Sequence, residues 1–392
     1  MAILAVIFHH SSNLALTILA ERGTRAHWWA LQAFVRVVRF AVPAFILYSV
    51  LLVTMSLIRE GAPNWRTYFG KRLKGTLYPY VIWSCIYLPL TLKQIGALAP
   101  GGAKLVTAKF IESVIFYGKA WTHLYFLSAL LQVQILLPLM ASLALGALAA
   151  AKVGTKRRMA ASAWFWVVVG LALQVAVYIV SHQIGAYYWS RGSEPPLPPF
   201  SSMFYAYLLP TFVGLSLALV WPAWSAKASG RKRWIWLTLI PLFAVYLAVD
   251  MRMVLADVSP VVKARGSGKG VSAALPAADP SPLASIPLDS SLAEEGLFMA
   301  FSTLAGVVLL DLCAGWHGRI AGWFQTLGQE SLGLFLVHPL VLLALRHGEA
   351  SRLVRLLPVP EISIVAITLG VTYLILLALR ALKLSTILFG RA

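Results

Sequence analysis

Residues 2–19 read AILAVIFHHSSNLALTIL, eighteen consecutive positions without a formal charge and with His9 and His10 in the middle. As a helix rising 1.5 Å per residue, such a run is about 27 Å long, close to the roughly 30 Å hydrocarbon core of a bilayer. Ionisable side chains are costly inside a membrane span and face a protein-lined interior when present, so the two imidazoles mark a candidate functional site. Counted from Met1, His10 lies about 14 Å along this helix, near the membrane midplane. Adjacent helical residues point about 100° apart, so only one of the pair readily faces the bundle interior.

The rest of the chain repeats the pattern. Of 392 residues, 59% are hydrophobic and 12% charged, a composition that fits a polytopic membrane protein. Ten apolar helical spans are expected, at approximately 1–19, 34–58, 76–92, 122–143, 160–181, 203–220, 233–249, 295–313, 331–345 and 362–382. The runs are continuously apolar, whereas strands of a membrane barrel alternate in segments of about ten residues, so the fold class is an all-α helix bundle. Trp28, Trp29, Tyr187, Tyr188, Trp221 and Trp224 fall near span ends, where aromatic rings anchor at the interface. The first span lacks the basic start and cleavage site of a secretory signal and reads as retained. The stretch from Met251 to about Leu292, rich in Ala, Pro, Ser and Gly, reads as a flexible external loop interrupting a single membrane domain over 1–392.

A net charge of +19 could suggest nucleic acid, but the basic residues gather in short loops. Arg59, Arg66, Lys71, Arg72 and Lys74 follow the second span. Lys152, Lys156, Arg157 and Arg158 follow the fourth, and Lys227, Arg231, Lys232 and Arg233 the sixth. The three loops share one parity, which by the positive-inside rule makes both termini cytoplasmic and leaves no role for nucleic acid. Lys93, Lys104, Lys109, Lys119, Arg346, Arg352 and Arg355 run against that bias. Only Cys85 and Cys313 are present, both within spans, so neither a disulfide framework nor a cysteine metal site is expected, and packing is their expected role.

Beyond the first span, Arg36 and Arg39 share a helix face at a spacing of three, and Arg39 precedes Pro43, where a kink opens space. A guanidinium there suits a carboxylate, a phosphate or a developing oxyanion. His123 opens the fourth span and His338 lies within the ninth, directly before Pro339. A single membrane histidine can serve simply as an interhelical hydrogen-bonding group, but three spans each supplying one suggest a shared cavity. Imidazole can accept and return a proton near neutral pH, which suits activation of an alcohol. Carboxylates are scarce inside the spans, with Asp250, Asp311 and Glu330 near their ends, which weighs against a proton-coupled transporter.

Five strings in order carry a family resemblance: AVIFHHSS at 5–12, RFAVPAFILYS at 39–49, YFGKRLKGTLYPYVIWS at 68–84, HLYFLSALLQVQILLPL at 123–139 and GQESLGLFLVHPLVL at 328–342. Together they resemble the acyltransferase 3 family of bacterial integral membrane proteins that modify polysaccharides and envelope glycans. The resemblance implies a multi-pass inner-membrane enzyme that passes an acyl group, commonly acetyl from acetyl-CoA, to a sugar hydroxyl, with no bound cofactor or metal. It further implies that His10 is the catalytic base and that Lys71, Arg72 and Lys74 contact the CoA phosphates. Gly75 stands where the family's second arginine is expected, and Ser49-Val50 where Ser-Gly is common.

The resulting expectation is a membrane O-acyltransferase. His10 is its base, Arg39 serves the oxyanion or orients the acceptor, and His9, Arg36, His123 and His338 line the cavity. Ser11 or Ser12 activated by His10 would instead give an acyl-enzyme route. The reading from a different class is a transporter or flippase for a glycan or lipid-linked sugar, suited by spans interrupted at Pro43, Pro138, Pro210 and Pro339.

Overall fold

A computed structural model describes residues 2–22, 25–60, 64–150, 156–191, 203–225, 237–250, 288–314 and 318–390. Every regular element among them is helical. In order these are α1 (Ala2–Glu21), α2 (Arg25–Val38), α3 (Ala41–Glu60), α4 (Trp65–Arg72), α5 (Tyr78–Gln94), α6 (Ala108–Tyr117), α7 (Tyr125–Ala150), α8 (Lys156–Trp189), α9 (Leu208–Ser225), α10 (Leu237–Asp250), α11 (Leu288–Ala314), α12 (Arg319–Gln329), α13 (Ser331–Leu345), α14 (Gly348–Leu356), α15 (Pro360–Ala381) and α16 (Ser385–Phe389). Among the described residues, each of the ten expected spans falls mainly on helix, the second interrupted by a turn at Arg39–Phe40. Seven are long and apolar enough to cross a bilayer unaided, or eight if the bent pair α12–α13 counts as one. α5, with 17 residues, and α10, from Leu237 to Asp250, are shorter. α13 spans only 15 residues, about 22 Å, and meets α12 at 72°.

The second expected span differs most from its sequence reading. Ala26–Arg59 forms an apolar run of 34 residues, about 50 Å as one helix and too long for a single crossing. A turn at Arg39–Phe40 resolves the excess by dividing it into α2 and α3. Pro43 contributes because it has no N–H to give the turn before it. The basic stretch also departs from expectation: Leu73–Leu77 forms a π-helical turn that joins α4 to α5 without a break. Such turns recur at functional sites. The proposed external loop falls largely outside the described residues, since 251–287 are not among them, and α11 already begins at Leu288.

Packing centres on α1, α3 and α9. α1 contacts α2, α3, α13 and α15, while α3 lies between α9 and α11. The α3–α9 crossing is close because Gly214 has no side chain, and a Cβ there would sit 2.6 Å from the Leu47 carbonyl oxygen. Small residues permit such approaches between membrane helices. Tyr48 then donates to the Gly306 carbonyl at 2.8 Å, tying α3 to α11. α8 is peripheral, exposing Trp164, Phe165, Val168, Leu171, Val175 and Ile179. An apolar surface of this kind is what lipid covers. Cys85 is also exposed, correcting the expectation that it packs inside, and Cys313 is half-buried.

Candidate active site

Three of the expected histidines meet. The His10 and His338 ring centres are 5.3 Å apart, and His338 and His123 are 5.7 Å apart. His10 comes from the middle of α1 and His338 from seven residues into α13, and the two helices pack side by side so that these positions meet. His123 arrives by another route, on the segment between α6 and α7, which folds inward. His338 is fully buried and His123 nearly so, whereas His10 is half-buried. His10 is therefore the most exposed member of the trio.

Local contacts hold His338 and His123. Nδ1 of His338 donates to the Leu334 carbonyl at 3.0 Å, one turn back along α13. Tyr87 of α5 donates to the Leu336 carbonyl at 2.7 Å, holding that stretch of α13 in place. The same Tyr87 ring stands edge-on to His123 at 5.1 Å and stacks with Trp121 at 5.2 Å. Phe335 closes the other side of His123, also at 5.1 Å. Thr91 donates to the Ala120 carbonyl and Ser128 to that of Phe116, so both ends of the infolded segment are tied.

The infolded segment begins at Gly118, which has φ +68°, a left-handed conformation that side-chain-bearing residues rarely adopt. A Cβ at Gly118 would lie 2.5 Å from the Leu124 carbonyl carbon and the Tyr125 nitrogen, next to His123. Gly118→Ala is therefore expected to cost about 1–2 kcal/mol from the backbone conformation alone, with the clash in addition. Thermal unfolding in detergent checks this. A lowered midpoint is expected, and an unchanged one would show that the segment does not need this glycine.

Among the described residues, neither nitrogen of His123 has a hydrogen-bond partner, and neither does Nε2 of His338. Buried polar atoms are usually paired, and unpaired ones point to a role or to an absent guest. No group of histidine, cysteine or carboxylate side chains among the described residues is arranged to hold a metal ion.

His9 points elsewhere, its ring 5.4 Å from that of His10 and nearly perpendicular to it, within electrostatic reach of Arg36 and Arg39. As their spacing predicted, the two arginines share a face. Arg36 donates to Asp250 Oδ1 at 2.9 Å and Arg39 to the same oxygen at 3.4 Å. Arg39 also pairs with Glu294 at 3.7 Å and lies 4.7 Å over the Phe298 ring. Asp250 is 1% exposed, so this carboxylate is buried between two cations. The cluster was missed in sequence because Asp250 reads as a span end, and nothing local links it to arginines more than 200 residues earlier.

Lys71, Arg72 and Lys74 are not near the histidines in sequence or along the bundle, and lie on α4 and the π turn. Lys71 and Lys74 are exposed, and Arg72 is half-buried with its guanidinium 5.4 Å over the Tyr68 ring. Arg72 Nε is buried and lacks a partner among the described residues. α16 covers this region: Trp83 donates to the Leu388 carbonyl, and the space a Cβ on Gly390 would need is filled by the Lys74 carbonyl. Beside it, a cavity of about 200 Å³ is lined by Glu330, Gly333, Leu376, Arg380, Ser385, Thr386 and Phe389, with Arg380 paired to Glu330. Arg346, read from sequence as a loop residue, ends α13 within electrostatic reach of His10.

A helical bundle of this length and apolarity, with imidazoles gathered at mid-span and a buried cation–carboxylate cluster nearby, defines an integral membrane protein built around an interior polar site. The chain belongs to the acyltransferase 3 family, whose acyltransferase-domain model matches residues 1–381, nearly all of it. It is accordingly a multi-pass membrane acyltransferase. No curated protein and no solved structure matches it.

Proposed function

We propose that this acyltransferase moves an acyl group, acetyl in the simplest case, from acyl-CoA to a hydroxyl of a cell-envelope sugar or exopolysaccharide, in a bacterial inner membrane with both termini cytoplasmic. The observation that carries the reading is the histidine trio, with His10 as its most exposed member. His10 takes the proton of the acceptor hydroxyl as that oxygen attacks the thioester carbonyl carbon. The new C–O bond forms, the C–S bond breaks, and the thiolate leaves and is protonated to give CoA. General-base assistance of this kind contributes about 10² to 10⁴ in rate, with positioning and electrostatic stabilisation supplying the remainder.

Direct transfer is favoured over an acyl-enzyme because Ser12 donates its hydroxyl proton to the Phe8 carbonyl at 2.7 Å, away from His10. Ser11 is buried and adjacent to His10, so its side chain points about 100° away on the helix. Arg39 orients the acceptor or meets the developing oxyanion. Its Nη1 meets Asp250 and Glu294, which hold the guanidinium in place. His9 and Arg36 border the acceptor on one side of His10, and His123 and His338 stand behind it. At the other end of the path, Lys71, Arg72 and Lys74 receive the CoA phosphates, a role supported by the exposed lysines and the unpartnered Arg72 Nε.

The test is the alkali-labile acyl ester on envelope glycans, measured by mass spectrometry in cells lacking the gene and in cells complemented with it. Ester confined to complemented cells is the expected result. Equal ester in both, with less glycan at the surface of the deletion strain, would favour a transporter.

A further inference from the structure

The bond between His338 Nδ1 and the Leu334 carbonyl determines more than the direction of the ring. A carbonyl only accepts, so Nδ1 must carry the proton, and in neutral imidazole Nε2 is then a bare acceptor. That acceptor is fully buried and has no partner among the described residues. Its neighbours are imidazoles. A ring nitrogen sits about 1.2 Å from its ring centre, so two imidazoles joined by an N–H···N bond of about 3 Å have centres about 5.4 Å apart. The His10–His338 spacing is 5.3 Å, against 5.7 Å for His123–His338. The His10 ring turns about χ2, a broad torsion, at little cost.

We infer that His338 is a positioning residue: its Nε2 accepts the N–H of His10, fixing the His10 tautomer so that the opposite nitrogen is bare and faces the acceptor hydroxyl. The arrangement does for His10 what a carboxylate does for the base of a Ser–His–Asp triad, where a wrong tautomer costs about 10⁴ in rate. A buried anion is avoided because the orienting group is a neutral imidazole, itself oriented by a backbone carbonyl one turn away. The inference rests on His10 being the base of the reaction proposed above, but the hydrogen bond can be tested without the reaction.

Two substitutions separate the functions of the two His338 nitrogens. In His338→Asn the amide takes the place of Nδ1 and can keep the bond to Leu334, with nothing at Nε2. In His338→Gln the amide reaches the Nε2 position and can accept from His10, but it cannot take up a proton. The first measurement is ¹⁵N NMR of histidine-labelled full-length protein in lipid bilayers. Wild type is expected to show His338 protonated at Nδ1 and His10 as one tautomer, with His10 becoming a mixture in His338→Asn and a single tautomer again in His338→Gln. A mixed His10 in wild type, or one unmoved by His338→Asn, would overturn the inference whether or not the protein transfers acyl groups.

The second measurement is glycan ester formation in complemented cells at matched protein levels. His338→Asn is expected to lose about 100-fold, and His338→Gln to recover to within about tenfold of wild type. Equal loss in both would assign His338 a proton-accepting or packing role instead and overturn the positioning role.

Discussion

Replacing His10 with Ala is expected to reduce glycan ester formation by about 10² to 10⁴, the range that a general base supplies. The fold should survive. His10 is half-buried, and its ring neighbours are the His9 and His338 imidazoles rather than apolar side chains. Folded protein at wild-type abundance in the membrane, with little or no ester, is therefore the expected pair of observations. Because His9 is adjacent, His9→Ala is the natural comparison. Its ring lies within electrostatic reach of Arg36 and Arg39, so its loss should impair acceptor binding more than turnover. Full activity in His10→Ala would remove the assignment of the base.

The second large effect concerns stability. Asp250→Asn removes a carboxylate that is 1% exposed and serves both Arg36 and Arg39, leaving two guanidinium groups with Glu294 as the remaining partner of one of them. Breaking a buried ion pair from one side typically costs about 3–5 kcal/mol, because the surviving charge is buried and unpaired. Here the arginine side chains are 21% and 31% exposed and can recover some hydration, so a loss of about 2–3 kcal/mol is expected. Thermal or denaturant unfolding of the purified protein in detergent measures it. The double variant Asp250→Asn with Arg36→Gln should lose less than the sum of the single losses, since the two side chains act as a unit. Strict additivity would show that the contact carries no energy. Ester formation should fall as well, because Arg39 loses the partner that holds it beside His9.

The sequence allowed the helices to be placed because membrane spans are written in long apolar runs, and among the described residues each of the ten expected runs falls mainly on helix. Their lengths were less legible. α13 is short and bent against α12, and Ala26–Arg59 breaks at Arg39, because Gly and Pro punctuation does not specify how far a helix tilts or where it turns. The histidine trio could be anticipated since each member is an ionisable residue in an apolar run, a rare event with few uses. His123 was harder: it enters through an infolded segment set by Gly118, Thr91 and Tyr87, and only a glycine of positive φ marks the site locally. Arg36 and Arg39 announced a shared face through their spacing, yet their partner lies 214 and 211 residues away. No pattern in a single sequence connects them. The π turn at Leu73–Leu77 was likewise invisible, because its residues also suit an ordinary helix end.

The proposed reaction joins an acyl group from a thioester to a glycan hydroxyl. Its most direct test reconstitutes the full-length protein in liposomes with envelope glycan from the deletion strain and acetyl-CoA labelled in the acetyl group, and follows label in glycan together with free CoA thiol. Label and thiol are expected in equal amounts with wild type, and neither with His10→Ala. Movement of glycan across the bilayer without thiol release and without label would contradict it.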